Sequence, residues 1–272
     1  MKKLLRTILA SILAVATLFC FTACNGDGGD GELTGDLKKI KDAGKIVVGI
    51  TDYEPMDYKL PGSNEWIGFD AELAEMFAAS LGVTCEFFEI ADWGAKAIEL
   101  QSNSFDLIWN GMTATDELGQ QIDLSVPYAK NAQVLVMKKD ATAPSLDAVK
   151  DLTIAVESGS AGNKVAANEI KVTNLFERES QMAALLEVVS GDSQGALIDL
   201  TMAESVVGKN QFADLKIVEG ISYGDEVFSV GLRKGSNLTA KINEFLKAKY
   251  ADGTMTKLLE KYAVSINVDA LK

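Results

Sequence analysis

The sequence predicts an α/β fold in two lobes, and three observations carry that prediction. From residue 46 onward, short β-rich runs alternate with amphipathic segments of helix length, as in sheets whose strands are joined through helices. The alternation breaks at Val126-Pro127-Tyr128 and then restarts with the same grammar. Once an N-terminal leader is set aside, about 250 residues remain, enough for one large domain or two intimate lobes.

In the first series, Ile46-Val47-Val48-Gly49-Ile50 has the continuous apolar character of a strand buried on both faces. Leu73, Met76, Phe77 and Ser80 recur at helical spacing within Phe69 to Leu81, and Gly82 ends that helix. Thr84 to Ile90 reads as a second strand, Asp92 caps a helix carrying Ala97, Ile98 and Leu100, and Phe105 to Trp109 reads as a third strand. Strands connected in this way imply a parallel sheet with helices on both faces. In the second series, Gln133 to Met137 and Leu152 to Val156 are strands, with a short helix opening at Pro144-Ser145 between them. Glu157 to Gly162 turns into a helix through Ala167, Leu175 lies in a short strand, and Met182, Leu185, Leu186 and Val189 share a helical face. Gly195 to Ile198 and Val227 to Leu232 are the remaining strands. Two amphipathic helices close the chain, marked by Leu238, Ile242, Phe245 and Leu246, then by Met255, Leu258, Leu259 and Tyr262. Open α/β sheets bind ligands beyond the carboxyl ends of their strands, so two facing lobes offer a cleft.

Charge and composition narrow the function. Thirty-nine acidic residues stand against 26 basic ones, a net charge of −13, and three of the cations belong to the leader. So acidic a body is a poor partner for nucleic acid or an anionic lipid surface. Histidine is absent, which removes Ser-His-Asp and Cys-His catalysis and the commonest transition-metal ligand together. No metal and no cofactor are expected. Of the three cysteines, Cys20 and Cys24 sit in the leader, so Cys85 alone remains in the folded part and no intrachain disulfide can form there. Its context, Val83-Thr84-Cys85-Glu86-Phe87-Phe88, is that of a small buried hydrophobe rather than a reactive thiol.

The first 24 residues have the three parts of a secretion signal: Lys2, Lys3 and Arg6, an apolar run from Thr7 to Phe21, and small residues before Cys24. The run is short and wrongly flanked for a spanning helix. Thr22-Ala23-Cys24 resembles a bacterial lipoprotein signal, which implies cleavage before Cys24 and lipidation of its thiol, with Phe21 where that pattern usually has a smaller aliphatic residue. An ordinary secretory leader cleaved nearby is the alternative. Residues 25–36, NGDGGDGELTGD, cannot bury enough apolar surface to fold and read as a flexible linker, with a reach of roughly 20 Å for a glycine-rich coil of that length.

Four stretches carry a resemblance: Thr51-Asp52-Tyr53-Glu54-Pro55-Met56-Asp57-Tyr58, Gly68-Phe69-Asp70-Ala71-Glu72-Leu73-Ala74, Phe105 through Thr115, and Ser125-Val126-Pro127-Tyr128. In this order and spacing, with Gly191 to Asp199 and Gly231 to Gly235 after them, the chain resembles the extracytoplasmic solute-binding proteins of amino-acid ABC transporters, family 3. The resemblance covers residues 36–266. It implies the two-lobed periplasmic-binding-protein fold of type II, with 37–130 plus 228–272 as lobe 1, 131–227 as lobe 2, and Gln133–Met137 and Val227–Leu232 as crossover strands. It also implies hinge bending near Ala129–Gln133 and Tyr223–Val227. By position, Tyr53 and Trp93 look like aromatic walls around a ligand side chain, with burial in the core as the alternative for each. Asn110, Gly111 and Thr113 look like a rim offering a carbonyl to an ammonium and a hydroxyl or N–H to a carboxylate; an ordinary turn is the alternative. Ser160 opens a helix and looks like an anion seat. Asp199 matches the aspartate that pairs with a ligand ammonium, or else caps the helix beginning at Thr201.

One departure stands out. Where the family has an arginine gripping the ligand carboxylate, Thr115-Asp116-Glu117-Leu118 places a leucine. Either Lys59, Lys96 or Lys130 substitutes, or the ligand lacks a free α-carboxylate. The resemblance implies a lipid-anchored receptor, not an enzyme, on the outer face of a bacterial cell membrane, delivering an amino acid or related small nitrogen compound to an ABC permease. Two alternatives remain: a sensing or scavenging surface subunit without transport, and a cyclohexadienyl-dehydratase-like enzyme with Glu54, Asp52 or Glu157 as general acid.

Overall fold

The computed structural model describes residues 34–262, so the leader, Cys24 and most of the glycine- and aspartate-rich stretch lie outside the described residues. α1 (Gly35–Ala43) leads into β1 (Lys45–Ile50), and a small hairpin of β2 (Tyr58–Lys59) and β3 (Trp66–Ile67) precedes α2 (Phe69–Ser80). Then come β4 (Thr84–Glu89), α3 (Lys96–Gln101), β5 (Leu107–Ile108), α4 (Asp116–Gln121) and β6 (Asp123–Leu124). The chain leaves through β7 (Ala129–Lys138) and builds β8 (Thr153–Glu157), α5 (Ala161–Lys164), β9 (Asn174–Arg178), α6 (Gln181–Ser190), β10 (Gly195–Asp199) and α7 (Leu200–Val206). It returns along β11 (Leu215–Phe228) to β12 (Gly231–Leu232), α8 (Leu238–Ala251) and α9 (Thr254–Tyr262).

Two five-stranded sheets result, ordered β4-β1-β5-β12-β6 and β11-β7-β10-β8-β9, one in each lobe of this two-lobed α/β fold. The expectation of parallel sheets needs correction. β4, β1 and β5 are parallel, but β12 runs antiparallel between β5 and β6. Likewise β9, β8 and β10 are parallel, and β7 and β11 are antiparallel. Each sheet receives one strand directly from the other lobe, and without a helical crossover nothing turns that strand parallel to its neighbours. The run Val227 to Leu232 is not one strand: β11 ends at Phe228 in one sheet and β12 begins at Gly231 in the other. Between them, the Ser229 N–H donates to the Met112 carbonyl at 3.0 Å and the Val230 N–H to Ser125 Oγ at 2.9 Å. β7 and β11 pair from Ala129 opposite Phe228 to Lys138 opposite Leu215, so the two chain passages between lobes run side by side.

Several boundaries also shift. The linker expected through Asp36 stops short of it, because Gly35 and Asp36 begin α1 and Asp36 accepts from Arg233 Nη2 at 2.8 Å and Ser236 Oγ at 2.7 Å. The acid lies in the first turn, where the helix dipole favours it. The segment after Asp92 opens with a single 3₁₀ turn, Trp93–Ala95, whose Gly94 N–H donates to Asp92 Oδ1 at 2.9 Å. The helix expected through Ala167 ends at Lys164 and continues as a π-helical stretch, Val165–Ile170. In lobe 1, Phe77 meets Phe245 and Trp109 edge-on at 5.3 and 6.4 Å between ring centroids, tying α2, the end of β5 and α8 into one core. Cys85 is partly buried on β4, and burial pushes its thiol pKa up to about 12.

Candidate functional site

The ends of β1, β5, β8 and β10 feed loops that line a cleft between the lobes, about 620 Å³ counting its open mouth. All eight cleft residues singled out from the sequence line it: Tyr53, Trp93, Asn110, Gly111, Thr113, Leu118, Ser160 and Asp199.

One pole of the cleft is acidic. Asp199 ends β10 and is buried. Its Oδ1 accepts from Asn131 Nδ2 at 2.5 Å and Gln133 Nε2 at 2.6 Å, and its Oδ2 accepts from Gln181 Nε2 at 2.5 Å. Gln181 closes a ring by accepting the Asp199 N–H through Oε1 at 2.8 Å. Asp199 sits at the N-cap of α7 but its side chain makes no capping bond, so the capping alternative fails. All three donors are neutral amides. They satisfy lone pairs without cancelling the charge, and burial raises the Asp199 pKa against their effect.

A second acid shares those amides. Glu226 Oε2 accepts from Asn131 Nδ2 and Gln133 Nε2, each at 3.0 Å, and from Thr113 Oγ1 at 3.1 Å. Burial, then the Asp199 charge, raises its pKa to about 7. Sequence reading missed Glu226, Asn131, Gln133 and Gln181. Asn131 and Gln133 carried a signal, since two polar residues at i and i+2 before an apolar run occupy one face of a strand. Glu226 carried none, because only the pairing of β7 with β11 sets it opposite Asn131.

The lobe 1 loops are more structural than the resemblance implied. Asn110 Oδ1 accepts the Thr51 N–H at 2.7 Å and its Nδ2 donates to Thr51 Oγ1 at 2.7 Å, so this side chain is committed to the exit from β1. The Gly111 N–H donates to buried Asp70 at 2.6 Å and is not free for a ligand. Gly111 has φ +53°, and a Cβ there would lie 2.6 Å from Tyr53 Cε1, so a bare backbone is needed for the Tyr53 ring to fit. Tyr53 is buried, edge-on to Phe228 at 6.5 Å, and its hydroxyl has no hydrogen-bond partner among the described residues. Burial first, then the Asp199 charge, raises its pKa.

The other pole combines apolar walls with a lysine. Trp93 and Leu118 belong to one buried apolar cluster and both face the cleft. Ser160 caps α5, accepting the Asn163 N–H at 3.0 Å. Glu157, at the end of β8, is buried, and burial, then Asp199, raises its pKa to about 8. Lys96 Nζ lies 4.4 Å from the Trp93 ring centre, and burial pulls its pKa down to about 8. Of the three candidate lysines only Lys96 lines the cleft; Lys59 pairs with Glu89 at 3.1 Å and Lys130 is exposed on β7. Both arginines of the folded part are occupied elsewhere, Arg178 with Glu187 at 2.6 Å and Arg233 with Asp36 at 2.8 Å.

The lobes touch across the mouth. Lys164 pairs with Glu117, Ser205 Oγ donates to Glu54 Oε1 at 3.2 Å, and a Cβ on Gly159 would lie 2.5 Å from Gly94 Cα.

Comparison with known proteins gives this geometry a family. A relative from Bacillus subtilis, the arginine-binding extracellular protein ArtP, is 30% identical over 258 residues, covering 93% of this chain and 96% of its own. The L-cystine-binding protein TcyJ of Escherichia coli is 26% identical over 232 residues, 84% of this chain and 86% of its own. An amino acid ABC transporter substrate-binding protein from Streptococcus pneumoniae, solved bound to L-arginine, superposes with a TM-score of 0.77 at 26% identity, covering 86% of this chain and 100% of that one. These relatives are named for binding rather than catalysis, and this chain is a binding protein, not an enzyme. Residues 46–265 match the model of the bacterial extracellular solute-binding proteins, family 3, and the chain belongs to that family.

Proposed function

We propose that this chain is a receptor whose lobes close on an amino acid or a related small nitrogen compound and present it to an ABC permease. The observation that carries the reading is Asp199, a buried carboxylate aimed into an interlobe cleft and held by three neutral amides, with no cation paired to it among the described residues. A ligand ammonium is the missing counter-charge, because an uncompensated buried ion is costly and a fitted counter-ion recovers that cost. The relatives support the class: one is named for arginine, another for L-cystine, and a third is an amino acid ABC transporter component. Tyr53, Trp93, Asn110, Gly111, Thr113, Leu118, Ser160 and Asp199 form its lining, Asn110 and Gly111 by shaping the loop. Among the described residues, lobe 1 comprises 35–130 plus 228–262 and lobe 2 comprises 131–227. Bending falls at Ala129–Gln133 and Tyr223–Val227, where β7 and β11 lie side by side and the register shifts between Tyr223 and Glu226. Contacts made by both lobes favour the closed state, which a permease can read.

The receptor is tethered through lipid on Cys24 to the outer face of the cell membrane; Cys24→Ala releases it to the medium if the tether is real, and leaves its fractionation unchanged if it is not. A thermal-shift screen of the chain from Leu33, with amino acids and their decarboxylated amines, tests the receptor reading. A hundredfold excess over Kd stabilises by about 2.7 kcal/mol, an easily seen shift. No shift from any compound in the panel counts against it.

A further inference from the structure

Two lysines line the cleft, and their situations differ. Lys164 is neutralised by Glu117 across the mouth. Lys96 makes no ion pair among the described residues: its ammonium donates to the Trp93 carbonyl at 3.0 Å and, across the cleft, to the Gly159 carbonyl at 3.5 Å. An ammonium has three N–H donors, so one remains for another partner. Trp93 and Leu118 give this end apolar walls, which exclude water and strengthen any charge pair formed there.

Four charged groups act on Lys96. Glu157 and Lys164 come from the facing lobe, Asp92 from its own loop and Glu117 from α4. Glu157 is the largest of these influences, yet its own pKa is raised to about 8. Near neutral pH it stays largely protonated and leaves the lysine's charge standing. Glu117 is taken by Lys164. Among the described residues the cleft therefore presents one uncancelled lysine and, at its acidic pole, the Asp199 carboxyl group, whose neutral donors supply no counter-charge.

We propose that Lys96 is the carboxylate-binding residue of this cleft, and that the ligand class is a small zwitterion held with its carboxylate on Lys96 and its ammonium on Asp199. The assignment deepens the receptor reading and rests on it. A ligand with both charges cancels both poles at once, whereas an amine without a carboxylate leaves a desolvated lysine unpaired and loses the stronger, charge-assisted contact. Lys96 acts as a point charge on a flexible stem rather than a planar fork, so it selects charge and distance more than the orientation of the carboxylate.

The test is calorimetric titration of the wild type, Lys96→Met and Lys96→Arg with three matched pairs: L-arginine and agmatine, L-histidine and histamine, L-cystine and cystamine. For the best-bound pair, the wild type should prefer the amino acid by about 100-fold, equivalent to ~2.7 kcal/mol. Lys96→Met should bring the ratio to within about 3-fold by weakening the amino acid and sparing the amine, while Lys96→Arg keeps most of the preference. In the wild type the preference should also decline between pH 7 and 9 as Lys96 loses its proton. This readout needs no variant, should Lys96→Met fail to fold. A wild type that prefers the amine, or a folded Lys96→Met that keeps the preference, overturns the assignment of Lys96 and leaves the receptor reading intact. Absence of binding by all six compounds and by the wider amino-acid screen sinks the receptor reading and this assignment with it.

Discussion

The two poles of the cleft are built differently. The acidic pole is wired largely within lobe 2 and the two chain passages: Asn131 and Gln133 come from β7, Gln181 from the start of α6 and Glu226 from β11, and Thr113 joins this network from lobe 1. The lysine pole exists only where the lobes meet, since Lys96 reaches the Gly159 carbonyl and Glu117 reaches Lys164 across the mouth. On the closure proposed above, one half of the cleft is set before the lobes meet and the other is completed when they do. A preorganised half recognises at low entropic cost, and a half assembled on closure couples occupancy to shape.

Asp199→Asn breaks the comparison at its strongest point. Removing one partner of a buried charge pair costs about 2–5 kcal/mol, so affinity for the best amino acid should fall at least about 30-fold by calorimetry. The melting temperature of the free protein should stay within a few degrees, because the carboxylate's charge is uncompensated without ligand. A loss of stability as large as the loss of binding would make Asp199 a structural residue instead. Gly159→Ala probes the other half. Its Cβ would lie 2.5 Å from Gly94 Cα when the lobes meet, and at φ +68° it adds backbone strain of about 1–2 kcal/mol whether or not they meet. Affinity should drop about 10-fold or more on top of a modest fall in melting temperature. Gly94→Ala, whose Cβ would stand 3.8 Å from Gly159 Cα, should cost under about 3-fold. Equal effects of the two alanines would mean that closure is not what Gly159 serves.

The pH dependence of stability is expected to run downhill toward alkaline pH. Glu226 near 7 and Glu157 near 8 both stand above the ordinary value of 4.5. The folded protein therefore holds their protons more tightly than the unfolded chain does, and the stability they contribute at pH 4 is lost as pH rises through 7 to 8. Scanning calorimetry should show the free protein melting lower at pH 8 than at pH 5. Glu226→Gln and Glu157→Gln should each flatten that slope, and the slope left is shared by Asp199, Asp57, Asp70 and Asp52, whose pKa values burial also raises. A free protein that melts higher at pH 8 than at pH 5 would place the carboxyls in more polar surroundings than these.

Much of this was legible from periodicity. β1, β4, α2 and α6 read directly, because each repeats apolar residues at the spacing of one element, and Asp199 stood out as an acid ending an apolar strand. β11 did not: Leu215 to Phe228 includes Gly220 and Gly224, both at positive φ, and its pairing shifts register twice, so no period-2 pattern survives. Glu226 was hidden with it. Asn110 and Gly111 were legible as a loop beside the site, but their bonds to Thr51 and Asp70 depend on contacts 59 and 41 residues away in sequence, which no local pattern records. Three lysines were equal candidates in sequence because charge alone does not say which side chain is desolvated.

The smallest expected effects follow from that last point. Lys59 pairs with Glu89 at 3.1 Å and lies 4.0 Å from the Trp66 ring centre, at the β2–β3 hairpin rather than in the cleft. Lys130 is exposed on β7, opposite Val227. Partly exposed ion pairs contribute about 0–1 kcal/mol and are screened by salt. Lys59→Met and Lys130→Met should accordingly leave amino-acid affinity within about 2-fold and melting within a degree or two. Lys59 retains one distant lever, since its charge lowers the pKa of Asp52, a lining residue whose pKa burial raises. Removing it should favour protonation of Asp52 and weaken a cationic ligand slightly, an effect that 0.5 M salt suppresses. The effect of Lys96→Met should persist at that ionic strength, because its pair forms out of water. If salt erases both alike, the lysine pole is an exposed rim, and the contrast between its two lysines and the preorganised acid disappears.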